Sequence, residues 1–590
     1  MKGGVTSGVV YPTAIQRLSA DYRFRNIGGA SAGAIAAVVA AACEYRRRAG
    51  EPEAFAGLAP IVDEVRAPGF IGRLFQPTPA ARPAFEVALA SVTSKKGKIG
   101  RAIDLVLTTL RRAPLFLGLA AAGIVLWLGV LTSTSWALAT DGFSWVDVVA
   151  VALFAVVALF GLIALIGVAV ALGLGSFAVG VNTALKENWL GMCSGLRQEG
   201  FDEPALTEWL HEKIQDCAGL DLDRPLTFGM LAGEGPGREI VLRLITTDLS
   251  LSRPVDLPLG DDPPSADADL KGRTISGETI YYFDPAEFCK LFPPTVVAAM
   301  VADSDAATLE TAPDRNLRRL PGAKLPIVVA ARLSLSFPML VSTVPLWSEH
   351  PRLPYLVEHC MSDGGICSNF PIHFFDSLFP GRPTFGLDLE PYPDPKQEAT
   401  LAHEPYVVFG DVPRPPAFSS VDGIVTFFRQ LLNAARNWRD NMQSELPGYR
   451  DRVCQIRLTR EQGGLNLEMP SHVVDALIER GQEAGDVICA APPRGFDWNR
   501  HRFTRFLTLM QALQLNLEPT GPNFASFVAD MAQPSEQWPY YKGHAPPWWD
   551  DAKVLATNFF GGVDWGTDGV TNFDLDAPVP KPALRITPSV

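Results

Sequence analysis

Arg25-Asn-Ile-Gly-Gly-Ala-Ser31-Ala-Gly-Ala-Ile-Ala-Ala-Val-Val-Ala-Ala-Ala-Cys43 reads as a short strand, a sharp turn and an alanine-rich helix. Ser31 falls at the turn. Gly29-Ala30-Ser31-Ala32-Gly33 matches G-x-S-x-G, in which Gly29 and Gly33 let strand and helix pass closely and force the serine onto a strained elbow. The hydroxyl is then expected to be exposed and to face the first amides of the helix. Those amides and the positive end of the helix dipole suit the oxyanion that forms when a serine attacks an ester carbonyl. A chance turn of Gly, Ala and Ser in an alanine-rich chain gives the same five letters.

Two further stretches bear on the choice. Lys2-Gly3-Gly4-Val5-Thr6-Ser7-Gly8-Val9-Val10-Tyr11-Pro12 is a glycine loop entering an apolar segment, able to turn backbone N–H groups toward the same oxyanion. Far downstream, Ser362-Asp363-Gly364-Gly365-Ile366-Cys367-Ser368-Asn369-Phe370-Pro371 offers a carboxylate ahead of two glycines. Alone, such an Asp-Gly pair is an ordinary turn signal.

Together, the glycine loop, the serine elbow and the late Asp-Gly-Gly-x-x-x-Asn-x-Pro resemble the patatin-like phospholipase family. Arg224–Gly229, Leu242–Leu249 and Leu325–Pro338 resemble that family's internal blocks, in its order, so the resemblance covers about residues 1–120 and 185–395. It implies an α/β fold with a three-layer hydrolase sheet and a Ser-Asp dyad, Ser31 with Asp363, without histidine. Asp363 is then the general base, first for the serine and later for the water that releases the fatty acid. Backbone amides of Gly3, Gly4 and Ala32 are the expected oxyanion donors, with Gly8, Gly29, Gly33, Gly364 and Gly365 as motif glycines. No metal or cofactor is implied.

Of the eight histidines, His359 and His373 stand nearest the dyad motifs, and the sequence leaves open a Ser-His-Asp triad through one of them. The chain departs from the family loop, G-G-G-x-(Arg/Lys)-G, by lacking its third glycine and its basic residue. Val5 restricts φ where a glycine is usual, and Ser7 removes a positive charge. A buried strand should also precede this loop, so the start at Met1 is expected to be truncated.

The chain has 590 residues, enough for two or more domains, with 47% hydrophobic content and a net charge of −13. That charge, without any basic cluster, argues against a nucleic-acid partner. Eight scattered cysteines show no metal-ligand spacing and read as reduced thiols. The first residues carry no basic region followed by an apolar core and a small-residue cleavage site, so a cleavable signal peptide is not expected.

The runs Pro114–Thr140 and Val148–Leu185 carry no charge, and two acids lie in the link Asp141–Asp147 between them. Each exceeds the roughly 20 apolar residues of a membrane span. They predict a transmembrane helical hairpin over 113–185, with Arg111, Arg112 and Lys186 holding both flanks on the cytoplasmic side. A buried hairpin or a lid inserting on lipid is the other reading.

The hairpin would interrupt a hydrolase built from 1–112 and 186–395. Helices are predicted near 55–65, 83–92 and 204–214, strands at Glu239–Ile245 and Ile327–Ala331, and a surface loop over 254–275. Ser334 and Ser336 read as packing and capping residues. Prolines between Glu390 and Pro416 close the domain, leaving 396–590 as a mostly helical accessory region with helices near 421–441, 471–490 and 499–515.

The expectation is a membrane-anchored serine lipid acyl hydrolase acting on phospholipid or another acyl-ester lipid of a bilayer. The alternatives are a catalytically weak scaffold or lipid-sensing module, and a transacylase with the same dyad.

Overall fold

The computed structural model describes residues 1–93, 144–392 and 405–517 apart from internal gaps, the longest being 260–278, 411–420 and 435–445, and scattered positions elsewhere. Val5, residues 94–113, most of the first uncharged run, most of 421–441 and nearly all of 518–590 lie outside the described residues.

The fold is mixed α/β. Its strands are β1 Asn26–Gly29, β2 Gly191–Cys193, β3 Val241–Asp248, β4 Arg253–Leu257, β5 Tyr282–Phe283, β6 Ala306–Ala307, β7 Leu317–Arg319, β8 Met339–Val341, β9 Val344–Glu349, β10 Leu356–Asp363, β11 Gly386–Pro391, β12 Val407–Val408 and β13 Val453–Leu458. The main sheet follows β1-β3-β10-β9-β5-β7-β6, with β4 also paired to β3. β1 runs parallel to β3, whereas β10 runs antiparallel to both β3 and β9.

β3 organises the sheet because Leu242, Leu244 and Ile245 are buried, and it takes pairing from β1, β10 and β4. Gly29 stands opposite Leu244 and Asp363 opposite Thr246. The ends of β1 and β10 therefore converge on one stretch of β3, offset by two residues, about 7 Å along the strand.

Two helices give the site its frame. The helix α1 (Tyr11–Asp21) follows the glycine loop, and α2 (Ala32–Arg48) leaves the elbow. Alanine fills most of α2, so it can be buried on every side from Ala32 to Glu44 except at Ile35. Its end is held by charge: buried Glu44 pairs with Arg47 and, at 2.9 Å, with Arg48. These arginines also suit the negative end of the helix.

The run predicted as a strand at Ile327–Ala331 is instead the helix Ile327–Ser334, buried throughout. Pro326 immediately before it starts a helix readily, and an apolar run of this length does not separate helix from buried strand. The predicted loop at 254–275 begins as a strand, β4, which pairs antiparallel with β3.

The region after residue 395 adds strands as well as helices. β13 pairs in parallel with β11 and antiparallel with β12, so the boundary drawn near 395 is crossed by a β ladder. The helix Ser471–Cys489 packs on α1, where Gly481 has no room for a Cβ: one would lie 2.1 Å from the Val10 carbonyl. Thr13 also donates to the Ile478 carbonyl at 2.9 Å.

The membrane hairpin needs correction. Among the described residues no helix is long and apolar enough to cross a membrane. The second uncharged run lies within a single helix, Trp145–Glu187, that takes in Asp147 and Lys186. The two transmembrane helices, the integral-membrane location and the cytoplasmic orientation read from the flanking charges fall together.

Candidate active site

Ser31 adopts φ 54° and ψ −128°, a strained combination for a residue with a Cβ. Close approach on both sides enforces it. A Cβ on Gly29 would lie 2.1 Å from the Gly33 carbonyl oxygen, and one on Gly33 would lie 2.3 Å from the Met1 carbonyl oxygen. The pattern's two glycines are thus space requirements. Contrary to the sequence expectation, Ser31 is not exposed: only 1% of it meets solvent.

The turn spends some amides and leaves others. Gly33 N–H donates to Ala30 O and Ala34 N–H to Ser31 O, each at 2.8 Å. The Ser31 amide donates to Ser334 Oγ at 3.1 Å. Gly3 N–H is committed to the Asn369 carbonyl at 2.9 Å, so that predicted oxyanion donor is already engaged. The amides of Gly4 and Ala32 donate to no described group. Gly8 packs on Ala32, where a Cβ would approach to 3.2 Å, and its amide donates to Gly4 O at 3.2 Å.

Asp363 ends β10 and is buried, 1% exposed. Its Oδ1 accepts from Gly365 N–H at 2.7 Å, its amide donates to Ser336 O at 3.0 Å, and its carbonyl accepts from Thr247 Oγ1 at 2.9 Å. Gly364 is required because a Cβ there would meet Ile245 O at 2.0 Å.

The glycine loop joins the two motifs. A Cβ on Gly3 would lie 2.4 Å from Asn369 Oδ1 and 2.7 Å from Ser31 Cβ, so Gly3 fits between them. Asn369 Nδ2 returns a bond to Gly3 O at 3.3 Å. Lys2 anchors the loop from the other side, pairing with Asp388 at 2.8 Å and with Glu390. Burial alone would lower the Lys2 ammonium, but these two carboxylates outweigh it and hold its pKa above the ordinary value.

Sequence reading missed three supporting residues. The segment Ser334-Leu335-Ser336 supports both sides of the site, through Ser334 Oγ for Ser31 and Ser336 O for Asp363. Arg332 supports the segment in turn, donating to Ser336 Oγ at 2.6 Å. Proximity in the fold, which no spacing encodes, brings these residues to the site.

His359 does sit in a Ser-His-Asp chain, but with other partners. Its Nδ1 meets Asp248 Oδ2 at 2.7 Å and its Nε2 meets Ser348 Oγ at 2.7 Å. All three are buried. Ser348 lies within β9, with no elbow and no helix start behind it, so these bonds tie β3, β9 and β10 together. His373 lies in the turn Ile372–Phe375 with its ring edge-on to Phe374.

Beside the elbow lies an apolar cavity of about 110 Å³. Ala32 and Gly8 stand at its wall beside the motifs, and Ile35, Val39, Ile61 and Trp209 also line it. Apart from Thr6 the lining is apolar, which suits a hydrocarbon chain better than a polar one.

No protein-family model and no solved structure matches the chain. One curated protein does, the "RpoH suppressor" of Rhizobium meliloti (strain 1021), 31% identical over an alignment of 678 residues. The alignment takes in 100% of this chain and 98% of the relative. A match of that identity along the full length of both is common descent: the chain belongs to the family of this RpoH suppressor.

Proposed function

We propose that the chain is a serine acyl-ester hydrolase of patatin type, cleaving fatty-acyl esters of lipids with Ser31 as nucleophile and Asp363 as general base. The observation that supports it most is the strained Ser31, buried against Gly3 and Asn369 while Asp363 reaches the same stretch of β3. The relative's name mentions RpoH and no reaction, so this reading rests on geometry and motif.

In this reading Ser31 Oγ attacks the ester carbonyl carbon and its proton passes to Asp363. The carbonyl oxygen becomes an oxyanion, for which the uncommitted amides of Gly4 and Ala32 are the donors. The bond to the alcohol breaks, and the alcohol leaves with the proton from Asp363. Water then attacks the acyl-serine and gives its proton to Asp363, which passes it to Ser31 Oγ as the bond to the acyl group breaks, releasing the fatty acid and restoring both residues. The acyl chain lies in the apolar cavity.

The direct test is fatty-acid release from phosphatidylcholine–phosphatidylglycerol vesicles and from p-nitrophenyl esters of graded chain length. Wild type should act on the long esters, and Ser31→Ala and Asp363→Asn should each lose about 10³-fold or more. Activity that survives Ser31→Ala would contradict the reading. Folded wild type inactive on every ester would favour a scaffold, for which the engaged amide of Gly3 is the specific observation.

A further inference from the structure

Arg332 is among the largest fully buried side chains of the protein, 1% exposed. Among the described residues no carboxylate pairs with it. Nη2 donates to Ser194 O at 3.0 Å, Nη1 to Ser336 Oγ at 2.6 Å, and Nε has no acceptor. Burial drives its pKa down to about 9, against a small opposing pull from Cys193. A lone guanidinium in such a place costs stability. A packed core alone gives no reason for it.

Its position in the hydrogen-bond chain supplies one. Ser336 Oγ accepts from Arg332 and also donates to the Arg332 carbonyl at 2.9 Å, closing a tight loop on the helix end. The carbonyl of the same Ser336 receives the amide of Asp363 at 3.0 Å and the hydroxyl of Ser362 at 3.0 Å. Two residues earlier, Ser334 Oγ receives the amide of Ser31. Between them Leu335 lines the apolar cavity. One short segment thus touches the nucleophile's backbone, the base's backbone and the wall of the cavity, and Arg332 clamps it.

We infer that Arg332 is a positioning residue of the acyl-transfer site: it fixes the Ser334–Ser336 segment, on which the backbones of Ser31 and Asp363 both rest. This inference rests on the hydrolase reading of Ser31 and Asp363. Arg332 contacts neither the nucleophile nor the substrate cavity and acts through Ser336.

The test is the rate of fluorophosphonate labelling at Ser31 as a function of pH, in full-length wild type, Arg332→Gln, Arg332→Lys and Ser336→Ala. Arg332→Gln removes the donor that holds Ser336 Oγ, so labelling should slow about tenfold across the whole profile with the acid limb unmoved. Arg332→Lys, which keeps a donor for Ser336 Oγ, should recover most of that loss.

An Arg332→Gln protein that folds and labels at the wild-type rate would overturn the inference while leaving the dyad standing. If Arg332→Gln does not fold, Ser336→Ala decides: it keeps the cation but removes its anchor. Slower labelling on an unmoved limb supports the clamp, and wild-type labelling overturns it. Absence of Ser31-dependent labelling in wild type would instead overturn the hydrolase reading, and this inference with it.

Discussion

The amide of Ser31 donates to the hydroxyl of Ser334 across 3.1 Å, joining the elbow to a residue 303 positions away in the chain. Both partners are buried. Ser334→Ala leaves that N–H without an acceptor at the most strained backbone position of the site, which costs about 1–3 kcal/mol. Chemical denaturation should show a loss in that range, and ester hydrolysis per folded molecule should fall about tenfold as the elbow loosens.

Gly33 faces the Met1 and Lys2 carbonyls with no room for a side chain. Gly33→Ala drives a Cβ to 2.3 Å from Met1 O, and backbone cannot move aside cheaply. The thermal midpoint should drop by an amount equivalent to about 2–3 kcal/mol. At Gly50, where φ is positive but nothing lies within 4 Å of a Cβ, the same substitution should cost about 1 kcal/mol, from backbone strain alone.

The Asp248–His359–Ser348 chain predicts a stability effect. His359→Ala strands two buried polar groups and opens a space beneath Tyr281, whose ring lies 5.1 Å from the imidazole. Stability should fall by about 2–4 kcal/mol. Labelling of Ser31 per folded molecule should stay within twofold of wild type. A selective loss of labelling with normal stability would place His359 in the chemistry.

How much of this was legible in sequence depends on whether the signal was local. The elbow was, because G-x-S-x-G states a steric requirement that Gly29 and Gly33 both meet. Asp363 was legible through its two glycines, of which Gly364 sits against Ile245 O. Arg332, Ser334 and Ser336 were not, since their roles arise only when the helix Ile327–Ser334 is laid beside α2 and β3. The alternation Val453-Cys-Gln-Ile-Arg-Leu458 did announce a strand and was passed over in favour of the neighbouring helices. Absence of charge between Val148 and Leu185 marked a long helix, but composition did not fix where that helix ends or what it does.

Burial pushes the Asp256 carboxyl on β4 up to about 6 from its ordinary 3.8, with Arg243 opposing. The folded chain therefore binds this proton more tightly than the unfolded chain. The stability it contributes is full below pH 3.8 and is lost as pH rises through about 6. After allowance for its partial exposure, the effect is about 1–2 kcal/mol. Asp256→Asn should flatten denaturation midpoints across that window and raise stability at pH 8; an unchanged slope would contradict the assignment.

The cavity wall at Ala36 sets the room for an acyl chain. Ala36→Phe should fill most of it. Hydrolysis of a twelve-carbon p-nitrophenyl ester should fall about tenfold while the four-carbon ester stays within twofold, because only the longer chain needs the space. Equal loss on both esters would mean that the chain lies elsewhere.

The most direct measurement is to react the full-length protein with a fluorophosphonate and map the modified serine by peptide mass spectrometry. The account predicts a single adduct on the peptide containing Ser31, absent in Ser31→Ala, slowed at least 100-fold in Asp363→Asn and retained in His359→Ala. An adduct on Ser348, or labelling that persists in Ser31→Ala, would contradict it.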